Sequence, residues 1–204
     1  SSNRYVCVKP SPILPTASNN NYSSTGDGTS GVYVWGSQLE EGSYPTSYIP
    51  TSGSTVTRNQ DIFTRDGIGS LINSTEGVLF VEMAALSNDL TYRMISLSDG
   101  TVDNSINIQY SGVSNTIRAR VENGGSPQAD ITYTILDSKS FSKIALLYKL
   151  NKFELWFNGS KVGEDTSGTP PLGLSKLAFD RGDGGSDFYG KVKQLQVYDT
   201  ALTD

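Results

Sequence analysis

Hydrophobic and polar positions alternate with a period of two through most of the chain after residue 60. In Ser105–Tyr110, Ile106, Ile108 and Tyr110 share one side, with Asn107 and Gln109 on the other. In Thr116–Glu122, Ile117, Ala119 and Val121 oppose Arg118, Arg120 and Glu122. In Lys152–Asn158, Phe153, Leu155 and Phe157 oppose Glu154 and Trp156. The run Val78–Leu86 is apolar on both sides, as a central strand of a sandwich is. Further strands are predicted at 61–64, 92–98, 129–134, 142–150, 174–179 and 189–198. Asp66-Gly67, Asp99-Gly100, Asn123-Gly124-Gly125 and Asn158-Gly159 supply the turns, and a tight hairpin is expected at Asn151-Lys152. One short helical turn is expected near Leu136–Phe141. Strands about ten residues apart, with no long helical period between them, predict an all-β chain folded as an antiparallel two-sheet sandwich or jelly roll.

The pattern before residue 60 differs. Val32–Trp35 reads as a strand and Tyr5–Val8 as another. Between the first of these and Arg58 lie Pro45, Pro50, Gly42 and Gly53 among Ser, Thr and Tyr. Proline fixes φ and lowers the entropy that ordering must overcome. Tyr44, Tyr48 and Ile49 supply apolar area to bury. The expected organisation is therefore 1–38, the end of an upstream β module or an N-terminal extension; 39–57, an ordered strap; and 58–204, a whole sandwich.

Composition narrows the chemistry. The 204 residues carry a formal charge of −5, which does not suggest a binder of phosphate backbones, and no apolar stretch approaches a membrane span. No signal peptide is expected at Ser1, since no basic start and apolar run follow it. Histidine is absent, which excludes Ser-His-Asp and Cys-His nucleophiles and His-rich zinc or iron sites within the chain. The single cysteine, Cys7, reads as a small apolar strand residue. Gly182-Asp183-Gly184-Gly185 lacks the Lys-Ser/Thr of a phosphate loop. Any metal would be a hard cation held by oxygen. Asp180, Asp183 and Asp187 in a glycine-rich loop, with Asp99 and Asp103 in another, are the candidate ligands for Ca²⁺; the same composition also describes plain turns. Arg181-Gly182-Asp183 within that loop is read as a chance tripeptide.

The candidate binding residues come from the alternation. Arg118, Arg120, Asn107, Gln109, Glu154 and Trp156 all fall on polar strand faces and are expected on one sheet surface. Guanidinium forks, amides and a flat indole suit a sugar ring, which has apolar C–H faces and many hydroxyls. An ordinary solvated face is the alternative reading of the same alternation.

Four segments, Glu76–Glu82, Lys143–Tyr148, Phe153–Gly159 and Gly190–Asp204, form an ordered set that resembles the concanavalin A-like, laminin G-like jelly roll. The resemblance covers about Arg58 to Asp204. Laminarinase-type glucanases of that superfamily carry a Glu-x-Asp-x-Glu strand, whereas Val81-Glu82-Met83 holds one carboxylate; alginate-lyase-type members need a histidine. The expectation is a non-catalytic domain, with a glycosidase built on other carboxylates the lesser alternative. Trp35–Thr51 closely resembles a segment that recurs in tailed-bacteriophage tail and other virion surface proteins, where it closes one β-sandwich module and leads into the next. That resemblance implies a lectin-like, extracellular virion module, such as part of a tail fibre, that attaches to host or environmental glycan. The implied partners are a cell-surface polysaccharide, other virion proteins and further copies of the chain, with neither nucleic acid nor membrane insertion. A structural spacer or decoration module without a soluble ligand is the second class.

Overall fold

The computed structural model describes Thr29, Tyr33 and residues 35–40, 45–58 and 61–201. The expected strand Tyr5–Val8, Cys7 and Tyr44 lie outside the described residues. The chain divides into two compact units, Ser1–Glu41 with Thr46–Thr57, and Gly42–Pro45 with Arg58–Asp204.

In the first unit, side chains clamp residues 35–40 to residues 46–49. The Gln38 carbonyl oxygen accepts from the Ile49 amide at 2.7 Å. Glu40 accepts from the Thr46 amide and hydroxyl, each at 2.6 Å. Trp35 and Tyr48 meet edge to face, with centroids 6.1 Å apart. The prolines limit what backbone pairing can do here, and carboxylate and amide side chains take over the bonding.

The second unit is a sandwich of eleven described strands: β1 (Thr64–Arg65), β2 (Glu76–Ala85), β3 (Arg93–Ser98), β4 (Ser105–Tyr110), β5 (Thr116–Asn123), β6 (Ser126–Thr134), β7 (Ser142–Lys149), β8 (Lys152–Phe157), β9 (Ser160–Asp165), β10 (Lys176–Ala178) and β11 (Gly190–Tyr198). They form a six-stranded sheet ordered β1-β10-β3-β4-β5-β6 and a five-stranded sheet ordered β11-β2-β7-β8-β9. All pairings are antiparallel. A 3₁₀ turn at Gly69–Leu71 is the one helical element among the described residues. The helical turn expected near Leu136–Phe141 is instead a single turn closed by the Ser140 amide on the Asp137 carbonyl.

Alternation places the core between the sheets. Leu79, Val81 and Met83 from one sheet meet Ile95, Leu97, Ile106 and Ile108 from the other, all fully buried. Tyr148 and Phe153 are fully buried as well, and each such side chain contributes about 1.5–3 kcal/mol. Tyr148 keeps its polar end satisfied by donating to the Asn73 carbonyl at 2.9 Å.

Turn chemistry sets the hairpins. Gly124-Gly125 (φ 57° and 74°) and Asn158-Gly159 (φ 48° and 85°) place two positive-φ residues between paired strands, which matches the twist of the flanking strands. The second hairpin leads into β9, a strand the hydrophobic pattern does not mark. Its residues Ser160–Asp165 are exposed or half-buried, and only Val162 packs on the core. It is an edge strand carrying Lys161 and Glu164, charges of the kind that keep an edge from pairing further.

Candidate functional site

The six-stranded sheet has one apolar face and one polar face. Because β4 sends Ile106, Ile108 and Tyr110 inward, Ser105, Asn107 and Gln109 stand on the outer face. Because β5 sends Ile117, Ala119 and Val121 inward, Arg118, Arg120 and Glu122 stand on the same outer face. Register completes the patch. Asn107 lies opposite Arg120, Gln109 opposite Arg118 and Ser105 opposite Glu122. Ser96 of β3 lies opposite Asn107, and Asp130 of β6 opposite Arg120.

The arginines are engaged within the face. Arg118 grips Asp130 with two guanidinium nitrogens, its Nε at 2.6 Å. Arg120 donates from Nε to Glu122. The Arg118 hydrogen bonds hold the Asp130 carboxyl below its ordinary value of 3.8, against a smaller opposing effect of burial. Tyr92, immediately before β3, is 44% exposed.

The floor differs from a solvated strand face. Ser96, Asn107 and Gln109 are 0%, 4% and 1% exposed. Nevertheless Ser96 Oγ, Asn107 Oδ1, Gln109 Oε1 and Glu122 Oε2 have no hydrogen-bond partner in the protein. Buried polar atoms are normally paired, because leaving one unmade costs about 1–3 kcal/mol. Four of the seven such atoms among the described residues lie on one face of three neighbouring strands.

The 180–187 loop borders this floor. Its Ser186 carbonyl accepts from the Met94 amide, and its Gly182 carbonyl accepts from Lys176 Nζ at 2.8 Å. Gly182 approaches the floor so closely that a Cβ there would lie 2.7 Å from Ser98 Oγ, and its φ of +100° disfavours any other residue.

Of the six side chains expected on one surface, the structure brings four together: Asn107, Gln109, Arg118 and Arg120. Glu154 and Trp156 are on β8, in the other sheet. The expectation of a single surface is corrected here. After β6 the chain crosses to the second sheet, and strands with the same alternation then face the opposite way out. On that outer face Trp156 is half-buried and donates from Nε1 to Glu154 at 3.1 Å, while Lys152 and Lys161 pair with the same carboxylate at 3.5 Å each.

Of the five aspartates considered for calcium, the carboxylates of Asp99, Asp180 and Asp183 have separate partners, and Asp103 and Asp187 are bonded through their backbone carbonyls. Asp99 accepts from Thr101 and Asn104. The Asp103 carbonyl accepts from the Gly125 amide. Buried Asp180 accepts from the Gly182 amide. Asp183 pairs with Arg181 at 2.7 Å, which holds its carboxyl below the ordinary value. The Asp187 carbonyl accepts from the Tyr189 amide. No group of three or more acidic, cysteine or histidine side chains able to hold a metal occurs among the described residues. The Arg181–Asp183 pair also closes the Arg-Gly-Asp tripeptide on itself.

Sequence reasoning missed Ser96 and Asp130 as members of the patch. Asp130 alternates in step with the inward Ala129 and Ile131, but the bulge of β6 between Pro127 and Ala129 breaks the count from the turn that precedes it.

Comparison with known proteins follows the same architecture. A family model described as the concanavalin A-like lectin/glucanases superfamily matches residues 79–204. The search of curated proteins gave no match. Among solved structures, the chain is similar to the CBM40 module of the Ruminococcus gnavus IT-sialidase, with TM-score 0.54 and 15% identity over 70% of this chain and 94% of that one. It is also similar to domains LG4-5 of the mouse laminin alpha1 chain, with TM-score 0.53 and 10% identity over 70% of this chain and 40% of that one. A leech intramolecular trans-sialidase gives TM-score 0.53 and 17% identity over 66% of this chain and 23% of that one.

Proposed function

The chain belongs to the concanavalin A-like lectin/glucanases superfamily, and on that premise we propose that it is a non-catalytic glycan-binding module that uses the outer face of the six-stranded sheet. The observation that carries this reading is the set of buried, unpartnered oxygens of Ser96, Asn107, Gln109 and Glu122 on that face. A sugar offers several hydroxyls that donate to such atoms. Tyr92, partly exposed immediately before β3, offers a ring against which a pyranose can stack. The solved module of the R. gnavus sialidase bound to α2,3-sialyllactose supports saccharide binding as a use of such a sandwich.

The non-catalytic part of the reading rests on the carboxylates. Asp130 is held ionised by Arg118, whereas a glycosidase's general acid must carry a proton near neutrality. The resemblance of Trp35–Thr51 to virion segments supports the setting we propose: an extracellular appendage of a phage particle, such as a tail fibre, repeated in several copies beside other virion proteins and attaching to surface polysaccharide. The clamp between residues 38–40 and 46–49 agrees with an ordered strap carrying such a module.

The test is a glycan array probed with the whole chain and with Gln109→Ala. Retention of glycans by the parent and their loss in the variant, with unchanged melting, is the expected result. Equal retention by both would move the site elsewhere.

A further inference from the structure

The outer face of the five-stranded sheet carries a constellation of its own. Because Val81, Leu146 and Leu155 point into the core, their neighbours Phe80, Ala145 and Trp156 stand outside. Register sets these three in one row across the sheet. Gln196 of β11 lies opposite Phe80, Phe80 opposite Ala145, Ala145 opposite Trp156, and Trp156 opposite Lys161 of β9. Neighbouring strands are about 4.8 Å apart, so the backbones of Phe80 and Trp156 are about 10 Å apart with only a methyl group between them. The two rings wall a trough whose floor is Ala145. All three residues are half-buried, so the trough is open to solvent.

The indole is fixed before any ligand arrives. Its Nε1 donates to Glu154 at 3.1 Å, and Glu154, buried beneath it, is held by Lys152 and Lys161 at 3.5 Å each. A ring already held in place loses little freedom on binding. Polar groups flank the row. Glu82 lies opposite Lys143 along one side, and exposed Gln196 accepts from the Tyr198 hydroxyl at one end. Charges this close to the apolar row do not suit the core of a protein–protein interface, from which charge is depleted. They suit a sugar, which is apolar on its C–H faces and hydroxylated around its edge. We propose that this trough is a second saccharide site, in which Phe80 and Trp156 hold one pyranose of a polysaccharide between them. It stands apart from the reading above, because none of its residues lies on the six-stranded sheet. Two sites facing opposite ways would let one module bridge two polysaccharide chains.

The chain holds two tryptophans, so Trp35→Phe leaves Trp156 as the single indole reporter. The experiment titrates the whole W35F chain with gluco-, manno- and galacto-hexasaccharides and follows tryptophan emission and its quenching by acrylamide. The expected result is a saturable blue shift, with protection from quenching, for at least one of these sugars. Ala145→Leu fills the trough and leaves both rings in place, and it should weaken that binding at least about tenfold by calorimetry. Phe80→Leu removes one wall and should weaken it as well, with melting curves checking that both variants fold. Emission unmoved by every sugar would overturn the inference, and so would binding unchanged in both variants. A signal abolished by Gln109→Ala would belong to the six-stranded sheet; it would overturn this inference and leave the earlier reading standing. A blue shift that follows protein concentration without sugar would mean that a second copy covers the trough, which would overturn it too.

Discussion

Replacing Gln109 by Met separates stability from binding. Gln109 is 1% exposed and its Oε1 has no partner in the protein. Methionine is similarly long and unbranched, so the change conserves volume while removing an amide. An unpaired buried amide costs about 1–3 kcal/mol on scales drawn from protein mutants. Removing it should therefore stabilise the ligand-free protein by up to that amount. For a domain of this size, 1 kcal/mol moves the melting midpoint by about 2–4 °C, so the rise should be about 2–12 °C. Glycan binding should fall at least tenfold in the same variant, since the atom that costs stability in the free protein is the one the sugar satisfies. Thermal or denaturant unfolding of Q109M and parent, with the slope m compared to confirm that compactness is unchanged, gives the first number, and calorimetry gives the second. A Q109M protein destabilised by more than about 1 kcal/mol would refute the reasoning, because it would mean that the amide is already satisfied in the free state.

Three further outcomes are expected. The Asp130–Arg118 pair is partly exposed, so D130N should cost no more than about 1 kcal/mol at neutral pH. Because Arg118 lowers the Asp130 carboxyl below 3.8, that contribution is fully present above 3.8 and lost as pH falls through the lowered value. Parent and D130N unfolding curves should therefore converge below 3.8, and a difference that persists at the lowest pH would count against the pair. Calcium held by Asp180, Asp183 and Asp187 must compete with Arg181 for Asp183, so Arg181→Gln should enlarge any calcium-dependent rise in melting temperature; curves blind to calcium and chelator in both proteins refute a metal there. Gln38→Ala removes the acceptor of the Ile49 amide, so chymotrypsin should cut at Tyr48 faster in the variant than in the parent, while rapid cutting of both would show that the strap is not ordered.

Much of the second unit was legible because its signals are local. Two-residue periodicity assigned Ile106, Ile108, Ile117, Ala119, Val121, Phe153 and Leu155 to the core, and all seven are buried there. Asn158-Gly159 and Asn123-Gly124-Gly125 marked hairpin turns because few other residues accept paired positive φ. Ser160–Asp165 was not legible, because an edge strand half in water has no apolar alternation to show. Which sheet a strand joins was not legible either. Glu154 and Trp156 alternate just as Arg118 and Arg120 do, and only the crossing after β6 sends them to the opposite side of the molecule.

By itself the sequence determined the class of fold, the strands that supply the core, the outward parity of Asn107, Gln109, Arg118 and Arg120, and the exclusion of histidine chemistry. These follow from side-chain period, turn stereochemistry and composition, which act between near neighbours. Tertiary structure alone decided that Ser96 and Asp130 join those four, that both arginines are neutralised within the face, and that four oxygens on it are buried without partners. Pairing register across strands and the packing of the 180–187 loop bring together residues up to about ninety positions apart, and no period along the chain encodes which of them meet.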